Sequence, residues 1–303
     1  MKDIKELKEL FGERYFENFP LRQYNTFHTG GNADIAIFPQ TDLEVADSLR
    51  ILRAEQIPFC IIGNGSNLLI SDEGVEGVVI ILSGLKGILT EGTELHVKSG
   101  SLLREIAYES MRQSLTGFEF ASGIPGSVGG AIVMNAGAYG SEMKDVIIRV
   151  KVLDCTGNIR TRENYECEFS YRESAYQTNG DTILSAVIEL RQGDEELIRE
   201  RMNELNEQRR LKQPLDYPSA GSTFKRPKGF FAAKLIEDSG LKGCRVGGAM
   251  VSEKHAGFII NYDNATSRDV SNLIDIVRET VFRKFGVELS AEVKLIGRNY
   301  SER

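Results

Sequence analysis

Three stretches of the 303-residue chain gather residues able to do chemistry. The first, Gly63-Asn64-Gly65-Ser66-Asn67, lies between two apolar runs. Its glycines admit positive φ and close approach, so successive backbone N–H groups can converge on an anion, with Ser66 and Asn67 as further donors. A tight hairpin turn accounts for the same residues. The spacing is not a Rossmann fingerprint, because Leu68 stands where G-x-G-x-x-G requires glycine. The second stretch is Gly123-Ile124-Pro125-Gly126-Ser127-Val128-Gly129-Gly130, followed by Asn135-Ala136-Gly137-Ala138-Tyr139-Gly140. So much backbone freedom along one path suits a ligand that brings a pyrophosphate and flat rings against the main chain. Together the two clusters point to a dinucleotide, and their spacing does not say which.

The third stretch, Ala220-Gly221-Ser222-Thr223-Phe224-Lys225-Arg226-Pro227, offers a hydroxyl with two cations behind it. Ser222 reads as part of a structural loop, as a binding or proton-donating serine, or as an acyl-transfer nucleophile in an S-x-x-K pair with Lys225. The last reading has its parts in the wrong order. Lys98-Ser99-Gly100, which resembles the element expected after the nucleophile, precedes it, and no S-D-N is present. Arg172, in Tyr171-Arg172-Glu173-Ser174, and Glu292, in Leu289-Ser290-Ala291-Glu292-Val293, are charges in aromatic or apolar settings. Each is either a surface charge or functional, and an exposed edge-strand carboxylate is the ordinary reading of Glu292.

Composition narrows the partners. With 37 basic against 44 acidic side chains the formal charge is −7, and no long Lys or Arg run is present. That balance argues against nucleic acid or an anionic membrane, while a local Arg/Lys cluster can still hold a small anion. The longest apolar run, Val78-Val79-Ile80-Ile81-Leu82, is far short of the ~20 residues of a membrane span. Met1-Lys2-Asp3-Ile4-Lys5-Glu6-Leu7 lacks an apolar signal core, so a cytoplasmic location is expected. Cys60, Cys155, Cys167 and Cys244 are scattered without C-x-x-C spacing, and there are only three histidines; the cysteines read as reduced and buried, and no metal site is expected. Nothing in the sequence signals an oligomer, and a monomer is the working expectation.

The elements that must position these residues follow from periodicity. Ala33–Phe38 reads as a strand, Leu43–Arg53 as a helix with Val45, Leu49 and Leu52 on one side, and Phe59–Gly63, Leu68–Ile70 and Val78–Leu82 as strands of a small α+β unit spanning 1–84. A more β-rich unit over 85–192 has strands at Leu95–Ser99, Val146–Asp154 and Thr182–Leu190 and a helix near Leu102–Ser110. Asp194 caps a helix to Leu211, striped by Leu197, Ile198, Met202 and Leu205, which opens a third unit over 193–303. Thr266-Ser267-Arg268-Asp269 has capping-box form ahead of Val270, Leu273, Ile274, Val277 and Val281, Gly286 supplies the stop, and Glu292–Ile296 is a final strand.

Taken in order, N-T-F-H-T-G-G at 25–31, G-N-G-S-N at 63–67, G-I-P-G-S-V-G-G at 123–130, Y-R-E-S at 171–174, G-S-T-F-K at 221–225 and A-E-V at 291–293 resemble the UDP-N-acetylenolpyruvoylglucosamine reductases (UDP-N-acetylmuramate dehydrogenases) over nearly the whole chain. The resemblance implies an α+β fold: two FAD-binding subdomains of the vanillyl-alcohol-oxidase type, here 1–84 and 85–192, and a C-terminal α+β substrate domain, here 193–303. It implies a cytoplasmic oxidoreductase of peptidoglycan precursor synthesis, hence of cell-wall biogenesis, shape and division. NADPH reduces non-covalent FAD and leaves, and the UDP-linked enolpyruvyl amino sugar then takes the hydride at its methylene carbon. Carried over, the resemblance places FAD along Gly63, Asn64, Gly65, Ser66 and Asn67 and along Gly123, Gly126, Ser127, Gly129 and Gly130, with Asn135 and Ala136 nearby. Ser222 becomes the general acid, and Arg172 and Glu292 bind and polarise the substrate carboxylate, Glu292 being protonated or sharing a proton there. Lys225, Arg226 and His255, in His255-Ala256-Gly257-Phe258, fall near the UDP moiety. One departure stands out: only Gln177-Thr178-Asn179-Gly180-Asp181 follows Tyr176 before the next strand, where long-form members carry a Tyr loop over the substrate diphosphate. The chain resembles the short form.

Overall fold

The computed structural model describes residues 4–299; part of the N-terminal stretch read for a signal, Met1 to Asp3, lies outside them. In chain order come α1 (Lys5–Phe11), β1 (Tyr15–Pro20), β2 (Asn32–Ile37), α2 (Asp42–Ala54), β3 (Phe59–Ile62), β4 (Leu68–Ile70), β5 (Val75–Ile81), β6 (Ile88–Glu91) and β7 (Glu94–Lys98). Then follow α3 (Leu103–Arg112), β8 (Leu115–Thr116), α4 (Val128–Val133), β9 (Gly137–Ala138), β10 (Ser141–Glu142), β11 (Ile147–Leu153), β12 (Ile159–Glu163), β13 (Thr182–Glu189) and β14 (Arg191–Gln192). The last stretch holds α5 (Glu195–Lys212), α6 (Ala232–Asp238), β15 (Arg245–Val246), β16 (Ala249–Val251), β17 (Ile259–Asn261), α7 (Ser267–Phe285) and β18 (Lys294–Ile296).

Two compact units interleave along the chain. Unit 1 comprises the residues up to Phe16, Ala36–Asn64 and Val78–Arg209; unit 2 comprises Glu17–Ile35, Gly65–Gly77 and the chain from Arg210 onward. The chain therefore crosses from one unit to the other inside the 63–67 loop.

In unit 1, β3 and β5 pair in parallel from Phe59↔Val78 to Ile62↔Ile81, and Val78–Ile81 is buried on both strand faces, as a covered parallel strand demands. Helix α2 buries Val45, Leu49 and Leu52, and its N-cap Thr41 accepts from the Glu44 N–H. The larger sheet is five-stranded and antiparallel, in the order β12-β11-β13-β7-β6. Along β11 the side chains alternate: Val150 and Val152 enter the core with Leu95, Val97, Ile106, Ile132 and Ile188. On the other side Lys151 reaches Asp42 at the start of α2 (2.8 Å), and Lys98 of β7 reaches the same carboxylate (2.7 Å). Helix α5 starts as expected, with Asp194 Oδ1 accepting from the Glu196 and Leu197 N–H groups. Yet its Ile198 and Met202 join this core, so the helix does not open the C-terminal unit. Leu197 is not part of the stripe: it is 65% exposed, because consecutive helical residues are ~100° apart and Ile198 takes the inward position. The cysteines are all free, but Cys155 is exposed, against the expectation of burial, while Cys60 and Cys244 are half-buried.

In unit 2, α6 and α7 pack on the antiparallel sheet β15-β16-β17, and β18 pairs in parallel with β4 (Lys294↔Leu68, Ile296↔Ile70). Phe27, Leu69, Phe224, Leu273, Val277 and Val293 share one core, so segments from three parts of the sequence close it. Helix α7 has the expected box: Thr266 Oγ1 accepts from the Asp269 N–H, and the Asp269 carboxylate accepts from the Thr266 N–H, with Gly286 ending the helix at φ +65°. A second cap was not expected. Asp72, just after β4, accepts from the Ser267 (2.8 Å) and Arg268 (3.0 Å) N–H groups. The final strand is shorter than expected, starting at Lys294, because the preceding residues pair elsewhere.

Candidate active site

The residues singled out in unit 1 are Gly63, Asn64, the 123–136 segment and Arg172. Gly63 packs so closely on Ser127 that a Cβ would lie 2.3 Å from Ser127 Oγ, and Asn64 Nδ2 donates to Pro125 O (2.6 Å). This joins the two glycine-rich stretches within the unit. Ser127 Oγ is buried and has no hydrogen-bond partner among the described residues. A buried orphan hydroxyl costs about 1–3 kcal/mol unless something bonds it, so this cradle fits a ligand rich in acceptor oxygens such as a pyrophosphate. The Val128 and Gly129 N–H groups are already committed to Ser101 O and Ser99 O (2.9 Å each), and a Cβ on Gly129 would meet Ser99 Oγ at 2.1 Å. What Gly129 contributes is close packing.

Asn135 is fully buried, and its amide is spent on protein: Nδ2 donates to Glu142 Oε2 (2.9 Å) and Ser170 O (2.8 Å), and Oδ1 accepts from the Lys144 N–H (3.0 Å). The main chain of Ala136 donates to Ala131 O and accepts from the Met143 N–H. Through Ser170 O, Asn135 braces the segment that presents Arg172. That segment is a two-residue turn in which Ser170 and Glu173 exchange backbone hydrogen bonds, and Arg172 sits at φ +59°, where glycine is the usual occupant. A non-glycine residue held there stores of order 1 kcal/mol, a cost the surroundings offset. Arg172 Nη2 donates to Gly137 O (3.0 Å), and Gln177 Nε2 donates to Arg172 O (2.9 Å). Gln177 comes from the short connection after Tyr176, and β13 begins at Thr182, so the connection is used to hold the Arg172 turn. At its far end Asp181 is paired with Arg162 (3.1 Å).

The residues singled out in unit 2 are Gly65, Ser66, Asn67, Ser222, Lys225, Arg226, His255 and Glu292. Gly65 has φ +63°, and a Cβ there would lie 2.1 Å from Tyr24 O and 2.8 Å from the Asn25 Cα. Behind it, buried Asn25 ties its own loop together through Nδ2 to Leu21 O (3.0 Å) and Thr29 O (2.9 Å), and the Thr26 N–H donates to Gly65 O (3.3 Å). The N-T-F-H-T-G-G stretch is therefore the buttress of the 65–67 turn, a role its composition did not reveal.

Ser222 is exposed, and its Oγ–H donates to Phe224 O (3.2 Å). Residues 221–225 are not helical, so Lys225 does not fold back over Ser222 as i+3 residues of one helix do. Instead the segment pairs with the one carrying Glu292: Phe224 bridges Ala291, the Lys225 N–H donates to Ser290 O (2.9 Å), and the Glu292 N–H donates to Thr223 O (2.8 Å). Two residues far apart in sequence, a hydroxyl and a carboxylate, are thus carried on adjacent extended segments. Thr223 is the buried pivot, donating its N–H to Gly257 O (2.8 Å) and accepting the Ile259 N–H on Oγ1 (3.0 Å). His255 Nδ1 accepts the Gly257 N–H (3.2 Å), its ring packs edge-on against Phe258, and burial lowers its pKa, so the neutral imidazole is favoured. The Arg226 guanidinium lies over the Phe231 ring (4.0 Å). Among the described residues no helix is long and apolar enough to cross a membrane.

Comparison with known proteins gives the arrangement its context. Residues 213–296 match the family model for the UDP-N-acetylenolpyruvoylglucosamine reductase C-terminal domain, and residues 33–162 match the model of an FAD binding domain. The chain is 52% identical over 295 residues to a UDP-N-acetylenolpyruvoylglucosamine reductase of Caldanaerobacter subterraneus subsp. tengcongensis, covering 97% of this chain and 98% of that one. A solved UDP-N-acetylenolpyruvylglucosamine reductase from Thermus caldophilus superposes with a TM-score of 0.79 at 36% identity, covering 91% of this chain and 97% of that one. Wild-type Phl p 4.0202, a glucose dehydrogenase, shares the fold over 63% of this chain and 44% of its own, with a TM-score of 0.51 at 14% identity.

Proposed function

The chain belongs to the UDP-N-acetylenolpyruvoylglucosamine reductase family, and on that premise we propose that Arg172, Ser222 and Glu292 are its catalytic residues. The protein is an FAD-dependent oxidoreductase that reduces the enolpyruvyl group of UDP-N-acetylglucosamine enolpyruvate to UDP-N-acetylmuramate, with NADPH as reductant, in peptidoglycan precursor synthesis. FAD, once reduced by NADPH, supplies the hydride that reaches the substrate's methylene carbon. Arg172 binds the substrate carboxylate, on which negative charge builds as an enolate, and Glu292 shares a proton with the same group. Ser222 turns its hydroxyl from Phe224 O and delivers the proton to the carbon next to the carboxylate. The hydride and the proton together saturate the double bond.

The observation that carries this reading is the pairing of the Ser222 and Glu292 segments through Thr223 O and the Phe224–Ala291 bridge, which presents an acid and a carboxylate on one rigid frame. Flavin phosphates are assigned to residues 63–67 and 123–130 on the strength of the orphan Ser127 hydroxyl and the close approach at Gly63. Lys225, Arg226 and His255 are assigned to the UDP moiety. Residues 1–84 and 85–192 are proposed as the flavin subdomains and 193–303 as the substrate domain, apart from α5, which packs in unit 1. The enzyme is proposed to work in the cytoplasm as a monomer, where NADPH and nucleotide sugars are available. Replacing Ser222 by Ala tests the division of labour. Stopped-flow bleaching of the flavin by NADPH should stay near wild type, while reoxidation by the enolpyruvyl substrate falls roughly 10²–10⁴-fold, the usual worth of a placed acid. Equal loss of both rates, or of neither, removes Ser222 from the role of proton donor.

A further inference from the structure

Glu292 is fixed on both sides of its main chain. Its N–H donates to Thr223 O (2.8 Å), and its C=O accepts from Asn67 Nδ2 (3.0 Å). One step on, the Lys294 N–H donates to Asn67 O (2.9 Å), and from there β18 runs parallel to β4. Asn67 is thus bonded to the Glu292 segment twice, once through its side chain and once through its main chain. It is also the last residue of G-N-G-S-N, two places after the wedged Gly65, and Gly65, Asn67, Thr223, Glu292 and Lys294 all belong to unit 2.

We infer that Asn67 is the positioning residue for Glu292, so that the loop read as a phosphate cradle also sets the catalytic carboxylate. The chemistry of the pair is specific. A carbonyl needs a donor, and the Asn67 amide nitrogen supplies one to the Glu292 carbonyl. Alanine leaves the carbonyl without it, and aspartate sets a carboxylate oxygen against it. Because the 65–67 turn takes its shape from the wedge at Gly65, ordering this loop around a pyrophosphate orders Glu292 and, through Thr223 O, the Ser222 segment. Cofactor occupancy then prepares the machinery for the second half-reaction. The inference rests on the role proposed above for Glu292.

The experiment uses FAD-loaded Asn67→Ala, Asn67→Asp and Glu292→Gln proteins and the Asn67→Ala/Glu292→Gln double variant. At saturating FAD, reoxidation of Asn67→Ala by the enolpyruvyl substrate should fall about 10- to 100-fold, as misplacement by up to an ångström does, and at least about threefold further than bleaching by NADPH falls. In the Glu292→Gln background the same change should cost less than about threefold more, since the residue being positioned has lost its function. Independently of activity, adding FAD to the apoprotein should slow exchange of the Glu292 and Lys294 amide hydrogens in wild type and not in Asn67→Ala. Bleaching and reoxidation that fall equally in FAD-saturated Asn67→Ala overturn the inference. So does full additivity in the double variant, or an exchange response that survives the substitution. If Asn67→Ala does not fold, the near-isosteric Asn67→Asp carries the same tests. If Glu292→Gln alone reoxidises at the wild-type rate, the role of Glu292 is what fails, and the exchange measurement still decides whether Asn67 holds that segment.

Discussion

Replacing Gly65 by Ala makes the sharpest test of how the proposed flavin loop is built. Two costs arise at this position. An L-residue held at φ +63° is strained by about 1–2 kcal/mol. The added Cβ would also lie 2.1 Å from Tyr24 O and 2.8 Å from the Asn25 Cα, and both are main-chain atoms, so the backbone itself has to move. Forced overpacking of this kind costs about 1–3 kcal/mol. The sum is about 2–5 kcal/mol, which as a loss of ligand affinity is about 30- to 5,000-fold. Gly229→Ala supplies the control. Its φ is +79° with nothing within 4 Å of a Cβ, so it carries only the conformational strain. Titration of FAD into the apoproteins, followed by flavin fluorescence, should show Gly65→Ala binding at least 30-fold more weakly than wild type and Gly229→Ala close to it. Circular dichroism reports whether the fold persists. A Gly65→Ala protein that folds and binds FAD within threefold of wild type would refute the wedge, and the turn would then be a turn and nothing more.

Three further outcomes are expected. Burial pushes the Asp42 carboxyl up, but hydrogen bonds from Lys151 and Lys98 outweigh it and hold the pKa below the usual value; Asp42→Asn should destabilise by about 1–2 kcal/mol at pH 7, and the gap should narrow as the pH falls below about 4, where the unfolded carboxyl takes up its proton, and close as the pH passes through the lower native pKa. A gap that persists at pH 2 would assign the effect to packing. The lowered His255 pKa means that below about pH 6.5 the unfolded chain binds a proton before the folded one does, so stability falls with pH there; His255→Asn, which keeps an acceptor for the Gly257 N–H, should show a shallower decline of Tm between about pH 6.5 and 5, and an unchanged slope would refute this. UDP should slow hydrogen exchange at Phe230–Gly240 or His255–Asn261, since the connection after Tyr176 is short and its Gln177 is bonded to Arg172 O. Protection confined to unit 1 would move the UDP site out of the C-terminal residues.

How much of this was legible depended on the range of the signal. Helix α7 reads directly from the Thr266–Asp269 box, the three-and-four recurrence of Val270 to Val281 and the Gly286 stop, because each is a local preference acting within a few residues. The glycine clusters and the Y-R-E-S, G-S-T-F-K and A-E-V segments were visible as composition and resemblance. What the sequence hid is non-local. Asparagine amides that clamp backbone carbonyls, Asn25, Asn67 and Asn135, leave no periodicity, and their partners lie up to 225 residues away. The same holds for Asp72 capping α7 and for β4 with β18, strands too short for alternation to register. Leu197 was misread because it is adjacent to the inward residue, and a stripe drawn by eye absorbs such a neighbour. Asn135 likewise shows in the sequence only as part of a glycine-rich stretch, while its amide bonds Glu142, the Lys144 N–H and, at the Arg172 turn, Ser170 O.

The interleaving of the two units bears on how the protein is made. Residues 17–35 and 65–77 leave the ribosome early, yet the partners that complete their core, α7 and β18 among them, are encoded some 200 residues later. At roughly 5–20 residues per second, these early segments wait about 10–40 s with Phe27 and Leu69 uncovered, while most of unit 1 can already be closing. A fragment starting at Arg210 would lack the strand that β18 pairs with and the aspartate that caps α7, so it should be insoluble, and fusing residues 65–77 to it should help. Holdase chaperones that cover apolar segments during synthesis would find this nascent chain a natural client.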